Sequence, residues 1–195
     1  MTHDSLSWAK WWACPWLDSP HDWPPFVPSV PYSRTLCQSQ HAAMATALGI
    51  DPCLPVEPSP ALLQLVLEPE QRRDLILALV GGVYQIKNRT PLSQDLQLWC
   101  VRLSKALLPN SLQINTEDPL HYLRAWVEPS VWQRLRLSFD HHRVLALEKN
   151  PRLIDAHDKL ETIWKAAIWR TGASNNEPVF SFAEESQDDA VQTHD

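Results

Sequence analysis

The sequence predicts an all-α fold, a bundle of about seven helices, and three observations carry that prediction. A polar residue followed by proline recurs along the chain, at Ser59-Pro60, Glu68-Pro69, Thr90-Pro91, Asp118-Pro119, Glu128-Pro129 and Asn150-Pro151. Proline at the first helical position loses no hydrogen bond and has its φ already set, and the residue before it can cap or favour the positive helix end. Second, Leu92, Leu96, Trp99, Leu103 and Leu107 fall within an arc of roughly 80° on a helical wheel. Third, β-branched residues are sparse and no run alternates apolar with polar, so nothing reads as a strand.

Taken in order, the elements begin with Ser5 to Trp12, where Trp8, Trp11 and Trp12 stand at i, i+3 and i+4 and share one face of a helix. Two turns are not stable alone in water, so this helix must dock on something. Cys14 to Tyr32 and Ile50 to Ser59 are proline-rich and predict extended segments lying on the bundle. Between them SRTLCQSQHAAMATALG, from Ser33, predicts a helix closing on Gly49 at the usual C′ place. The helix from Pro69 to Lys87 is apolar nearly all round, with Leu75, Ile76, Leu79, Val80, Val83 and Ile86 on one broad side, and therefore central. Its Gly81-Gly82 pair costs about 1 kcal/mol per residue against alanine; close approach of a neighbouring helix would offset that, whereas the phosphate-loop pattern G-x-x-x-x-G-K is absent. Residues 1–172 are read as one helical domain, with a Trp/Pro-rich segment at 1–32 docked on the bundle.

The chain has 195 residues, 44% of them apolar, with 17 basic and 23 acidic side chains and a net charge of −6. The imbalance is local: six acids and no base follow Gly172, so 173–195 predicts an acidic, disordered tail on an otherwise neutral body. A neutral body lacks the electrostatic footprint of a general nucleic-acid binder. Nothing resembles a signal peptide, and the apolar run Leu75–Val83 is too short to span a bilayer. The four cysteines show no C-x-x-C spacing and predict reduced thiols.

The search for chemistry assigns no catalytic, cofactor or metal residue. Asp140-His141-His142 fans over some 200° if helical and cannot close on one ion; His142 falls among Val131, Leu135, Phe139 and Ala146 and reads as a core histidine. His157-Asp158, like His21-Asp22, has the paired letters of metal-dependent HD-type phosphohydrolases, the alternative function class, but lacks the further ligands that signature needs. There is no G-x-S-x-G, and four glycines are too few for most nucleotide loops. No cysteine has a basic neighbour to lower its pKa.

What remains is adhesion. Arg124, Arg134, Arg136 and Arg143 cluster on neighbouring helices, either as a solvated face or as a patch for an acidic partner. The N-terminal indoles either staple the terminus to the bundle, anchor a partner or, least fittingly, stack on a sugar; Trp16 and Trp23 are the interface candidates among them. Trp169 falls near Asp158 and Thr162, opposite the apolar arc of Leu153, Leu160, Trp164, Ala167 and Ile168. An indole on a polar helix face meets the folded-back N-terminus or a partner.

These stretches carry a family resemblance. CPWLDSPHDWPP (Cys14–Pro25), LEPEQRRDLILALVGGVY (Leu67–Tyr84) and LRAWVEPSVWQRLRLSF (Leu123–Phe139) resemble segments of the SctK (YscK-like) proteins of bacterial type III secretion. The resemblance covers about residues 8–145 and departs from the family at Pro20-His21 and in the acidic tail. It implies a helical, cytosolic, non-enzymatic adaptor without cofactor. Such a protein links the cytoplasmic domain of the inner-membrane ring protein SctD to the pod protein SctQ, at the cytosolic face of the inner membrane. A secretion chaperone fits less well, since those are usually α/β dimers.

Overall fold

Ser59 illustrates how the helices start: its hydroxyl accepts from the Leu62 amide at 3.2 Å, and Pro60 occupies the first helical position. The computed structural model describes residues 3–18, 23, 41–86, 91–107, 118–153 and 157–173. Among these are nine α-helices and no strand: α1 (His3–Ala13), α2 (His41–Ala47), α3 (Pro60–Leu67), α4 (Glu70–Val83), α5 (Gln94–Leu107), α6 (Leu120–Trp126), α7 (Pro129–Leu135), α8 (His141–Glu148) and α9 (His157–Ala173). Short 3₁₀ turns occupy Pro15–Asp18 and Arg136–Ser138. No helix among the described residues is long and apolar enough to cross a membrane.

Several of the proline starts are realised. Glu128 precedes Pro129 at the first position of α7, and the Asp118 carboxylate accepts from the Leu120 amide at 2.9 Å at the start of α6. Glu68 and Pro69 precede α4, with Glu68 forked to Arg72 at 2.8 and 3.0 Å. Two starts are displaced. Pro91 does not open α5, because Ser93 competes: its carbonyl accepts from Gln97 at 2.9 Å and its hydroxyl from Leu96 at 3.4 Å, so the helix begins at Gln94. Pro151 opens nothing, since 151–153 are irregular and α9 starts at His157. In between, Asp140 caps α8 by accepting from the Arg143 amide at 2.7 Å. The chain therefore breaks where a single wheel ran through Phe139, and a new helix begins.

α4 is central. Seven of its residues, the unbroken run from Ile76 to Gly81 together with Val83, are buried around its whole circumference, and it packs against both α5 and α9. α9 also lies on α3 and α6, and α1 lies on α3. Gly82 faces α5: a Cβ there would stand 2.8 Å from the Cys100 sulfur, so the glycine permits the close approach. Gly49 ends the α2 region at φ +63°, a conformation that favours glycine. The predicted helix start at Ser33 and the tail from 174 lie outside the described residues. Of the predicted extended segments, Ile50–Ser59 is free of regular structure, whereas Cys14–Tyr32 contains the 3₁₀ turn and is otherwise described only at Cys14 and Trp23.

One core runs through these elements from Trp8 to Ile168. Trp126 and Trp164 stack in it at 5.2 Å and 8°, and Tyr84 stacks on Tyr122 at 3.7 Å and 9°.

Candidate protein-interaction surface

The arginines of the predicted patch are not one surface. Arg134 is 4% exposed. Its guanidinium donates to the carbonyls of Trp12 (3.1 Å), Ser130 (2.9 Å) and Asp51 (3.4 Å), and lies 4.0 Å from the Trp12 ring centre. Burial lowers its pKa, and Cys53 and Asp51 oppose that shift. A cation so enclosed ties the N-terminal helix to α7 and presents no charge for a partner. What covers it is Trp12 of α1, folded back across the sequence.

Arg136 is also held internally. It makes a fork to Glu148 at 2.9 and 3.0 Å and donates to the Leu48 carbonyl at 2.7 Å. The same guanidinium lies 5.6 Å from the Trp23 ring. Arg143 forks to Asp118 at 2.7 and 2.8 Å, joining α8 to the start of α6. Arg124 donates to the Asn150 carbonyl at 2.9 Å. Each cation is committed to a tertiary connection, so neither a solvated face nor an open basic patch describes the group.

The N-terminal indoles are built into the core. Trp8 and Trp12 are buried and Trp11 packs beside them, with Trp8 and Trp11 ring centres 4.9 Å apart. Trp8 Nε1 donates to the Val56 carbonyl at 2.9 Å and Trp12 Nε1 to the Cys53 carbonyl at 3.3 Å. Trp16 is buried 5.1 Å from His41, and Trp23 is buried with Nε1 donating to the Phe139 carbonyl at 2.8 Å. As interface anchors Trp16 and Trp23 are therefore misplaced: they seat the segment after α1 on the bundle. Their burial was not readable locally, since the residues that cover them are distant in sequence.

Trp169 is different. It is 70% exposed, the most exposed of the tryptophans and, among the described residues, second only to Leu54 of the large apolar side chains. Leu160, Ile163, Trp164, Ala167, Ile168 and Thr171 are the buried side of α9, and at about 100° per residue Trp169 stands opposite their centre, near Thr162 and Lys165. The flanks of that crest are tied down: Arg170 pairs with Asp95 on α5, and Glu161 accepts from Trp126 Nε1. Glu161 also meets Lys165 at 2.9 Å. The indole is thus displayed on a helix whose rotation is set on both sides, and the N-terminal indoles do not cover it.

The histidine readings change with the helix break. His142 is exposed, and the buried residues of α8 are Val144 and Leu147. The predicted core position assumed one helix through residue 139, but Asp140 restarts the count. His141 instead packs against Trp23, ring centres 4.5 Å apart. Among the described residues no group of three or more His, Cys, Asp or Glu is arranged to hold a metal ion. The side chains of His157 and Asp158, and both residues of His21-Asp22, lie outside the described set. Burial pushes the Cys100 thiol up to about 11. Comparison with protein-family models, curated proteins and solved structures finds no match for this chain.

Proposed function

We propose that the chain is a non-enzymatic helical adaptor that joins two protein partners. The particular reading is a type III secretion sorting-platform component of the SctK kind, bridging the SctD cytoplasmic domain and the SctQ pod protein. The observation that supports an adhesive role is Trp169. Leaving so large an apolar side chain in water forgoes roughly 1.5–3 kcal/mol of burial, and tryptophan is among the residues most enriched at binding hot spots. The surrounding helix is rigidly tied, so little ordering cost falls on association. The secretion-specific part of the reading rests on the three stretches of resemblance in the sequence.

The test is a co-expression pull-down of the full chain with each of the two partners, comparing the native protein with Trp169→Ala and Trp169→Arg. The reading expects retention of both partners by the native chain and loss of one with either variant. Failure of the native chain to retain either partner would remove the secretion assignment. Retention of both partners by both variants would remove Trp169 from the interface.

A further inference from the structure

The segment from Asp51 to Pro60 carries prolines at 52, 55, 58 and 60, with no Lys or Arg between Gly49 and Gln71. Proline fixes its own φ near −65° and pushes the residue before it into extended backbone. Asp51, Leu54, Glu57 and Ser59 are those preceding residues, which leaves only Cys53 and Val56 without either constraint. Ser59, at φ −64° and ψ 154°, has polyproline II dihedrals, and residues 51–59 have no regular secondary structure. A polyproline II strand repeats every three residues, so three x-Pro pairs (Asp51-Pro52, Leu54-Pro55, Glu57-Pro58) recur along one edge.

The other edge is already read by aromatic groups. The carbonyls of Cys53 and Val56, three residues apart, accept from the indoles of Trp12 and Trp8. One end is pinned by Asp51, whose amide donates to Gln133 Oε1 at 3.0 Å and whose carboxylate accepts from Gln133 Nε2 at 2.7 Å. The other end is pinned by Ser59 capping α3. Outward, Leu54 is 87% exposed, and Pro52, Pro55 and Glu57 are exposed beside it.

We propose that this outer x-Pro edge is a docking ridge for a protein partner. Its binding groove would be lined by aromatic side chains carrying N–H or O–H donors and rimmed by basic residues. Three features specify that chemistry. Aromatic grooves accept x-Pro pairs at three-residue spacing because the backbone is preformed and its carbonyls are free to accept. The same fit is realised on the inner edge by Trp8 and Trp12. The ridge displays the exposed Glu57 with no Lys or Arg between Gly49 and Gln71, which complements a basic rim. The ridge is a surface separate from Trp169, and the inference stands whichever assembly the chain serves.

The test places a benzoylphenylalanine photoprobe at Glu57 of the full chain in cells that produce it, with the same probe at the exposed Leu145 as control. Mass spectrometry maps the cross-linked site, and the purified pair is then titrated. The expected result is a product at position 57 and not at 145, mapping to a Trp- or Tyr-containing segment of another protein. Leu54→Ser and Pro55→Ala are each expected to weaken the purified pair tenfold or more with unchanged circular dichroism, while Leu145→Ser leaves it unaltered. Absence of a product, a product made of two copies of this chain, or affinity that survives both substitutions would overturn the proposal.

Discussion

The guanidinium of Arg134 sits 4.0 Å from the Trp12 ring centre and donates through Nε to the backbone carbonyl of that same tryptophan at 3.1 Å, across 122 residues of sequence. One buried cation thereby closes the N-terminal helix onto α7, and it does so with the face of the ring and the main chain together. A desolvated cation over an indole is worth about 2 kcal/mol or more, while burial lowers its pKa and Cys53 and Asp51 oppose that shift.

Arg134→Ala is expected to destabilise the fold by about 2–4 kcal/mol, because it takes the guanidinium from the Trp12 carbonyl and opens a gap beside the ring. Arg134→Lys should restore less than half of that, since an ammonium lacks the planar fork that reaches that carbonyl while stacking. Urea unfolding followed by circular dichroism measures both. A variant as stable as the native chain would show that α1 is held by its indoles alone.

Gly82→Ala is expected to cost about 1–3 kcal/mol by overpacking, as the new Cβ would lie 2.8 Å from the Cys100 sulfur. Cys100→Ala removes that sulfur together with its hydrogen bond to the Leu79 carbonyl. In the double variant the two costs should therefore be less than additive by at least about 0.5 kcal/mol. Strict additivity in thermal melts would mean that the clash is relieved elsewhere.

Stability should fall in alkali ahead of general denaturation. Burial raises the pKa of Tyr84, aided by Tyr122, and burial pushes Tyr122 up to about 12, whereas an unfolded tyrosine ionises near about 10. A raised folded-state pKa favours the neutral form, so this contribution is complete below about pH 10 and is lost as pH rises from there towards the folded values. Urea midpoints from about pH 8 to 11.5, read beside tyrosinate absorbance, should decline above about pH 10. The decline should flatten in Tyr84→Phe; an equal slope in that variant would rule out the stacked pair as its source.

Trp169→Ala should leave thermal stability within about 0.5 kcal/mol, the usual range for an exposed position without fixed contacts, in keeping with 70% exposure. By contrast Trp164→Ala, fully buried and stacked on Trp126, should cost about 3–5 kcal/mol. Differential scanning calorimetry of the two variants separates a displayed indole from a structural one. A large loss at Trp169 would mean that it packs against its own chain.

Much of the helix layout was legible because its causes are local. Ser59-Pro60 and Glu128-Pro129 start helices through their own backbone chemistry, and Gly49 adopts a positive φ just after the end of α2. The all-round apolar pattern of Leu75–Val83 demanded a central helix, and α4 has that place. The outward direction of Trp169 was likewise contained in the spacing of α9, since a helix of known phase has only one buried arc. Where two local signals competed, the wheel failed: Ser93 overrode Pro91, and Asp140 restarted the helix so that His142 turned outward.

The sequence alone determined that this chain is helical, which helix lies at its centre and which indole on α9 faces away from the core, because propensity, capping and periodicity act within a few residues. Only the tertiary structure decided the fate of the arginines and of the remaining N-terminal tryptophans. Arg134 meets Trp12, Arg143 meets Asp118 and Trp23 meets Phe139 across long stretches of chain. Burial and pairing of that kind depend on which segments fold back over one another, and no short window of residues records that.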